Sequence, residues 1–280
     1  MMLAGLLNAF FDFCFVVLLV RAVVTNEGHM AFNRPYQFVV RMLDPVWRKL
    51  RIPDRRVVAA SLIALLVLAG VRGLVWTMTG AHIDFEITEI RVLHRTYWQF
   101  QLLSVLAAAG FLLQIYAFLT LAIAMGDLEN RTDHYSRLMR AMLGPLKKVP
   151  AWWRCVFPAL GLVLLLSLSL WVLPWAQLHP PSDIVSSVLH SVPLALAMIV
   201  DLARVWIVLL IARCVLSFIP VWRPPVVEVM ERVTEPLLRP LQRFPLKAGQ
   251  FDFTPVVAIL ALAVAHWLVM WALEQIYLRL

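Results

Sequence analysis

Charge is scarce in this chain. Of 280 residues only 15% are charged, 62% are hydrophobic, and the mean hydropathy is +0.81. A water-soluble fold of that length could not hide so much apolar surface. Cysteine is scarce too. Cys14, Cys155 and Cys214 show no paired spacing such as CxxC, which argues against a disulfide framework and a zinc site. There is no glycine-rich phosphate loop, no HExxH, no GxSxG and no bis-histidine pattern for haem. Hence no catalytic residue, metal or cofactor is expected.

Six apolar stretches run from Leu3 to Val24, Val57 to Trp76, Trp98 to Met125, Trp153 to Leu173, Val192 to Phe218 and Phe253 to Leu273. Each is near the roughly 20 residues that a helix needs to cross the hydrocarbon layer, where backbone groups must be satisfied internally. The expected fold is an all-α polytopic membrane protein of about six transmembrane helices. The first stretch has no basic residue before it, carries Asp12 and is followed by a basic segment, so it reads as a retained span.

Nineteen of the 25 basic residues lie in three connections, with eight from Arg21 to Arg56, six from Arg131 to Arg154 and five from Arg223 to Lys247. Short basic loops stay on the cytoplasmic side, which predicts both termini outside the cytoplasm. The net charge of +8 then speaks for topology and anionic lipid headgroups rather than direct nucleic-acid binding. Trp76, Trp98, Trp171, Trp175 and Trp271 near the outer ends, and Trp47, Trp152, Trp153 and Trp222 near the inner, suit the two interfaces.

The three basic connections resemble one another. Each carries an apolar stripe of helical period into Leu43-Asp44-Pro45, Leu143-Gly144-Pro145 or Thr234-Glu235-Pro236, then a short basic run, then the next span. This predicts three hairpin repeats, 1–80, 95–176 and 190–280, each with a cytoplasmic amphipathic segment. In the third, Val226, Val229, Met230, Val233, Leu237, Leu241 and Phe244 fall three or four apart. That pattern reads as a helix in the interface, in two pieces joined at Pro236. It is either a plain connector or a surface where a membrane-protein partner docks.

Around the third connection the run Leu209 to Pro220, with Arg213 and Ser217, is followed by Thr234-Glu235-Pro236-Leu237-Leu238-Arg239-Pro240-Leu241-Gln242-Arg243. Phe251-Asp252-Phe253-Thr254-Pro255 comes next. These three elements, in this order, resemble the YggT family. Phe218 and Thr254 stand where that family more often has Trp and Ser. The first connection, with Arg21 in the place of Arg213 and Asp44-Pro45 after it, looks like a divergent second unit. The middle copy lacks the arginine. The resemblance implies an inner-membrane protein of bacterial type without established catalysis. Relatives are tied to cell division, nucleoid distribution, osmotic stress and ion homeostasis, and assembly of membrane complexes.

Ionisable residues inside spans are costly and usually partnered. Asp12 and Arg204 each precede an aligned arginine, Arg21 or Arg213, by nine residues, about 13.5 Å of helix, so both are expected near the midplane and in contact. Asp201 lies three before Arg204 and shares its face. The set is either a structural ion pair between spans 1 and 5 or part of an ion path. Arg21 and Arg213 either snorkel to headgroups or pair with Asp44 and with Glu235 or Asp252, fastening each amphipathic segment to its span. Asp252 before Thr254-Pro255 reads as a helix N-cap or a ligand. Gln114 and His266 read as interhelical hydrogen-bonding groups.

Overall fold

Apolar side chains on every face, with no polar stripe, drive these stretches into helices that satisfy their own backbone in lipid. The computed structural model describes residues 2–24, 33–53, 56–79, 81–85, 88–92, 97–130, 134–143, 149–172, 184–217, 225–243, 247–248 and 251–280. Its helices are α1 (Met2–Val23), α2 (Arg34–Lys49), α3 (Val57–Thr79), α4 (Tyr97–Met125), α5 (His134–Met142), α6 (Ala151–Val172), α7 (Ile184–Val200), α8 (Leu202–Ser217), α9 (Pro225–Leu238) and α10 (Thr254–Arg279). Two short antiparallel ladders accompany them. β1 (Ala81–Phe85) pairs with β2 (Thr88–Val92), and β3 (Lys247–Ala248) with β4 (Phe251–Asp252).

The chain is a polytopic α-helical membrane protein. Five segments among the described residues are long and apolar enough to cross a membrane: Leu6–Val23, Val57–Met78, Phe100–Met125, Val185–Leu216 and Thr254–Arg279. The remaining expected span corresponds to α6, in which the described apolar run, Val156–Leu168, is shorter. The fifth span differs from expectation. It starts at Ile184 rather than Val192 and is interrupted at Asp201, giving α7 and α8. Ser187 and Ser191 are buried, and Ser191 Oγ donates to Val188 O at 2.8 Å. A hydroxyl satisfied by its own helix does not end it.

In chain order the short amphipathic helix α2 lies between α1 and α3, α5 between α4 and α6, and α9 between α8 and α10. Neighbouring spans pack as α1 on α3, α3 on α4, α4 on α6, α6 on α7, and α10 on both α7 and α8. At Gly73 of α3 an added Cβ would lie 3.1 Å from Gln101 Cα, so this glycine permits the close approach of α4. The amphipathic helices form one layer, with α5 touching both α2 and α9. Their apolar stripes, including Tyr36, Val39, Val40, Met142, Val229 and Val233, join Val17, Val20, Leu119, Ile123 and Trp206 of the spans in one core.

Helix α9 passes through Pro236 to Leu238, which corrects the expected joint there. Pro236 sits two residues from the helix end, so the donor it lacks costs one late hydrogen bond, and Arg239 N still donates to Glu235 O at 2.9 Å. The chain leaves the helix at Arg239 and Pro240. Pro45 is likewise carried inside α2.

Candidate functional site

Two arginines tie amphipathic helices to spans. Arg21, in the last turn of α1, donates from Nη1 to the Tyr36 hydroxyl (2.8 Å) and from Nη2 to Asp44 Oδ1 (3.3 Å). Tyr36 is fully buried and its hydroxyl donates onward to Val24 O at 2.9 Å. Burial raises the phenol's pKa, while the charge and hydrogen bond of Arg21 oppose that rise and Asp44 adds to it. The phenol therefore keeps the proton it donates. Asn33 caps α2, accepting from Tyr36 N at 3.2 Å, and donates to His134 O at 2.6 Å, which locks the start of α2 to the start of α5.

Arg213, near the end of α8, donates from Nη1 to Glu231 O (2.8 Å) and Thr234 Oγ1 (2.9 Å), and from Nη2 to Glu235 Oε2 (3.2 Å). Thr234 is fully buried and passes its own proton to Met230 O at 2.8 Å. Glu235 Oε1 accepts from Gln242 Nε2 at 3.0 Å, which holds the turn after α9. Arg213 thus pairs with Glu235. The side chains of Ser217 and Asp252 lie outside the described residues. The N-cap of α10 is Phe253, without a side-chain cap bond, and Pro255 is in the first turn. This corrects the placement of the cap at Asp252, whose backbone is held against Lys247 in the ladder. Arg239 and Arg243 are exposed beyond α9.

The middle unit has no arginine at the end of α4. Arg154 at the start of α6 instead reaches back to Glu129, just past α4, and donates from Nε to Val149 O at 2.6 Å.

Within the spans the pairing differs from expectation. Asp12 faces Arg72 of α3, not Arg204, with Arg72 Nη1 donating to Asp12 Oδ1 at 3.3 Å. Equal depth along two spans does not make them neighbours, and α1 packs on its own hairpin partner. Arg72 also donates to Ser104 Oγ (3.1 Å) and Ser104 O (2.7 Å). Its guanidinium lies 4.9 Å from the Phe15 ring centre and 4.8 Å from that of Trp76. This burial between two rings, a carboxylate and a carbonyl suits a planar, delocalised cation. Arg72 lies within a span, outside the basic connections that set the charge pattern. A lone arginine 15 residues into a span was the signal.

Arg204 Nε pairs with Asp201 Oδ1 at 3.0 Å, and His266 Nε2 of α10 lies 3.5 Å from the same oxygen. One turn earlier Gln114 Nε2 of α4 donates to Met198 O at 3.1 Å. At the interruption the backbone steps to a tighter bond, Arg204 N to Asp201 O at 2.9 Å. Polar groups from α4, α8 and α10 therefore gather where the long helix breaks. Among the described residues no group of His, Cys, Asp and Glu is arranged to hold a metal.

Comparison with curated proteins gives no match, and neither does comparison with solved structures. The CCB3/YggT family model matches residues 193–273. That stretch runs from Pro193 of α7 to Leu273 of α10 and contains both the Arg213 clamp and the interruption at Asp201. The C-terminal part of this membrane protein, residues 193–273, therefore matches the CCB3/YggT family.

Proposed function

We propose that the chain is a non-enzymatic organising or assembly factor of the inner membrane, holding membrane-protein partners at the cytoplasmic ends of its spans. The observation that supports this reading most is the two-sided character of α2. One side, with Tyr36, Val39, Val40 and Trp47, is buried against the bundle. The other exposes Phe38 (62%), Met42 (44%), Val46 (48%) and Leu50 (61%), four apart along the helix, with Arg41, Arg48 and Lys49 also exposed. A stripe of apolar side chains flanked by basic ones suits the headgroup layer and a helix docked there. In this reading the first hairpin is a divergent YggT-like unit, the middle one a degenerate copy, and both termini lie outside the cytoplasm.

The test is purification in mild detergent of the wild type and of Phe38→Ser/Val46→Ser, with identification of what co-purifies. Flux through proteoliposomes is measured beside it. A stoichiometric membrane-protein partner, lost in the variant, supports the reading. Ion flux without a partner overturns it in favour of ion homeostasis. The polar gathering of Gln114, Asp201, Arg204 and His266 at the helix interruption supports that second reading, since broken helices line ion sites in transporters.

A further inference from the structure

The two ends of the amphipathic layer differ in charge. Helix α9 holds three acidic residues and one basic one, and that one, Arg232, pairs with Glu228. Helix α2 holds four basic residues and a single acid, Asp44, which Arg21 already occupies. At the end of α2 and before α3, residues 45–56 carry five basic residues against the one acid Asp54. Arg48, Lys49, Arg51 and Arg56 are exposed there. Among the described residues no hydrogen bond or ion pair engages these four side chains.

This corner sits at the edge of the hydrocarbon. Trp47 packs in one core with Leu18 of α1 and with Val57, the residue at which the α3 span begins. Val46 and Leu50 are exposed beside the cations, so apolar and cationic groups share one outward surface, as on a helix lying among lipid headgroups. The backbone fixes where one of the cations stands. Arg51 has a φ of 54°, the left-handed conformation that usually falls to glycine after a helix. Two bonds hold it there, from Arg51 N to Arg48 O and from Ile52 N to Trp47 O, each 3.0 Å. Glycine would close α2 with less strain, yet the chain has a cation at this point. We propose that the corner of α2 and α3 binds the phosphate of an anionic lipid. Arg48, Lys49, Arg51 and Arg56 supply the charge, and Val46 and Leu50 meet the acyl chains. Clusters of four or more basic residues beside a span attract such lipids. The site does not depend on a protein meeting Phe38, and the acids of α9 make that end of the layer unsuited to phosphate.

The test is titration of the purified chain in a neutral detergent with phosphatidylglycerol or with phosphatidylcholine, the bound lipids being counted by native mass spectrometry. The wild type is expected to bind phosphatidylglycerol more tightly. Arg51→Gly should weaken that binding about fivefold, the worth of one cation near an anionic membrane surface. It should not lower the unfolding temperature, because glycine suits the left-handed backbone. Arg48→Gln/Lys49→Gln, which leaves that backbone alone, should weaken binding about 25-fold. Arg239→Gln/Arg243→Gln removes two exposed cations beyond α9 and should leave binding within about twofold of wild type. Equal binding of the two lipids by the wild type, undiminished binding by Arg51→Gly, or an equal loss in the α9 variant overturns the site. A co-purifying protein lost from Arg48→Gln/Lys49→Gln, with no lipid preference in the wild type, overturns it in favour of a protein partner.

Discussion

Arg21 and Arg213 end their spans in the same way and reach into the amphipathic helix that follows, yet their surroundings differ. The Arg21 side chain is 8% exposed and holds a buried tyrosine as well as Asp44. That of Arg213 is 20% exposed and leans on a backbone carbonyl, a hydroxyl and the 37% exposed Glu235. The intramembrane charges follow the same contrast. Arg72 is 5% exposed inside the first hairpin, whereas Arg204 of the C-terminal unit is turned outward. Both parts pair their charges within the chain, and the first hairpin holds its arginines deeper, although the carboxylates Asp12 and Asp201 are about equally exposed, at 35% and 34%.

The sharpest way to break that contrast is Arg72→Met. It empties the place between the Phe15 and Trp76 rings and leaves Asp12, 35% exposed, without its cation. The change should cost about 2–3 kcal/mol, below the full penalty of a wholly buried pair that has lost one member. Asp12→Asn/Arg72→Met should recover part of the loss, because no charge is left behind. Thermal unfolding of the purified proteins in one detergent reads both. A double variant no better than the single one would mean that Asp12 does not depend on Arg72.

Arg21→Ala should come next, at about 2–3 kcal/mol, since it removes charge-assisted bonds from a buried tyrosine and from Asp44. Arg213→Ala should cost less, about 1–2 kcal/mol, because its carboxylate partner is partly exposed and screened. Equal losses in the same unfolding assay would remove the energetic meaning of the difference between the two clamps. Tyr36→Phe, which keeps the ring and deletes the bond to Val24 O, should cost about 1 kcal/mol. The smallest effect is expected at the surface of α9. Glu228→Gln breaks the ion pair with Arg232 one turn on and should change stability by about 0.3–0.5 kcal/mol. In a cysteine-free background Glu228→Cys should also react quickly with a water-soluble thiol reagent while Val233→Cys, 3% exposed, is protected.

The spans were legible in the sequence because twenty apolar residues in a row have few alternatives. The amphipathic helices were legible because polar and apolar residues alternate with helical period, and the buried side of α9 at Val229 and Val233 follows that period. The partner of Arg213 was legible only as a choice between Glu235 and Asp252, because it depends on how α9 lies against α8. What stayed hidden depends on which helix lies beside which. Asp12 has suitable cations at similar depth on two spans, and the packing of α1 on α3 decides for Arg72. The early start of α7 was masked by polar residues. Among them are His190, whose Nδ1 lies 2.8 Å from Ser186 O of its own helix, and Ser191, whose hydroxyl also lies 2.7 Å from that of Ser167 on α6. The helix through Pro236 was hidden because a proline's cost depends on its distance from the helix end, which no local pattern marks.

The link between Arg72 and Asp12 has a consequence for biogenesis. Sixty residues separate the two partners, and each alone burdens its helix with a charge that opposes partition from the translocation channel into lipid. Together, with Ser104 of the next span closing the ring of partners, they enter as a nearly neutral unit. The first span is thus expected to wait beside the channel until α3, and then α4, have been synthesised. Release of this part of the chain into the bilayer becomes a concerted event of three helices rather than a sequence of single insertions.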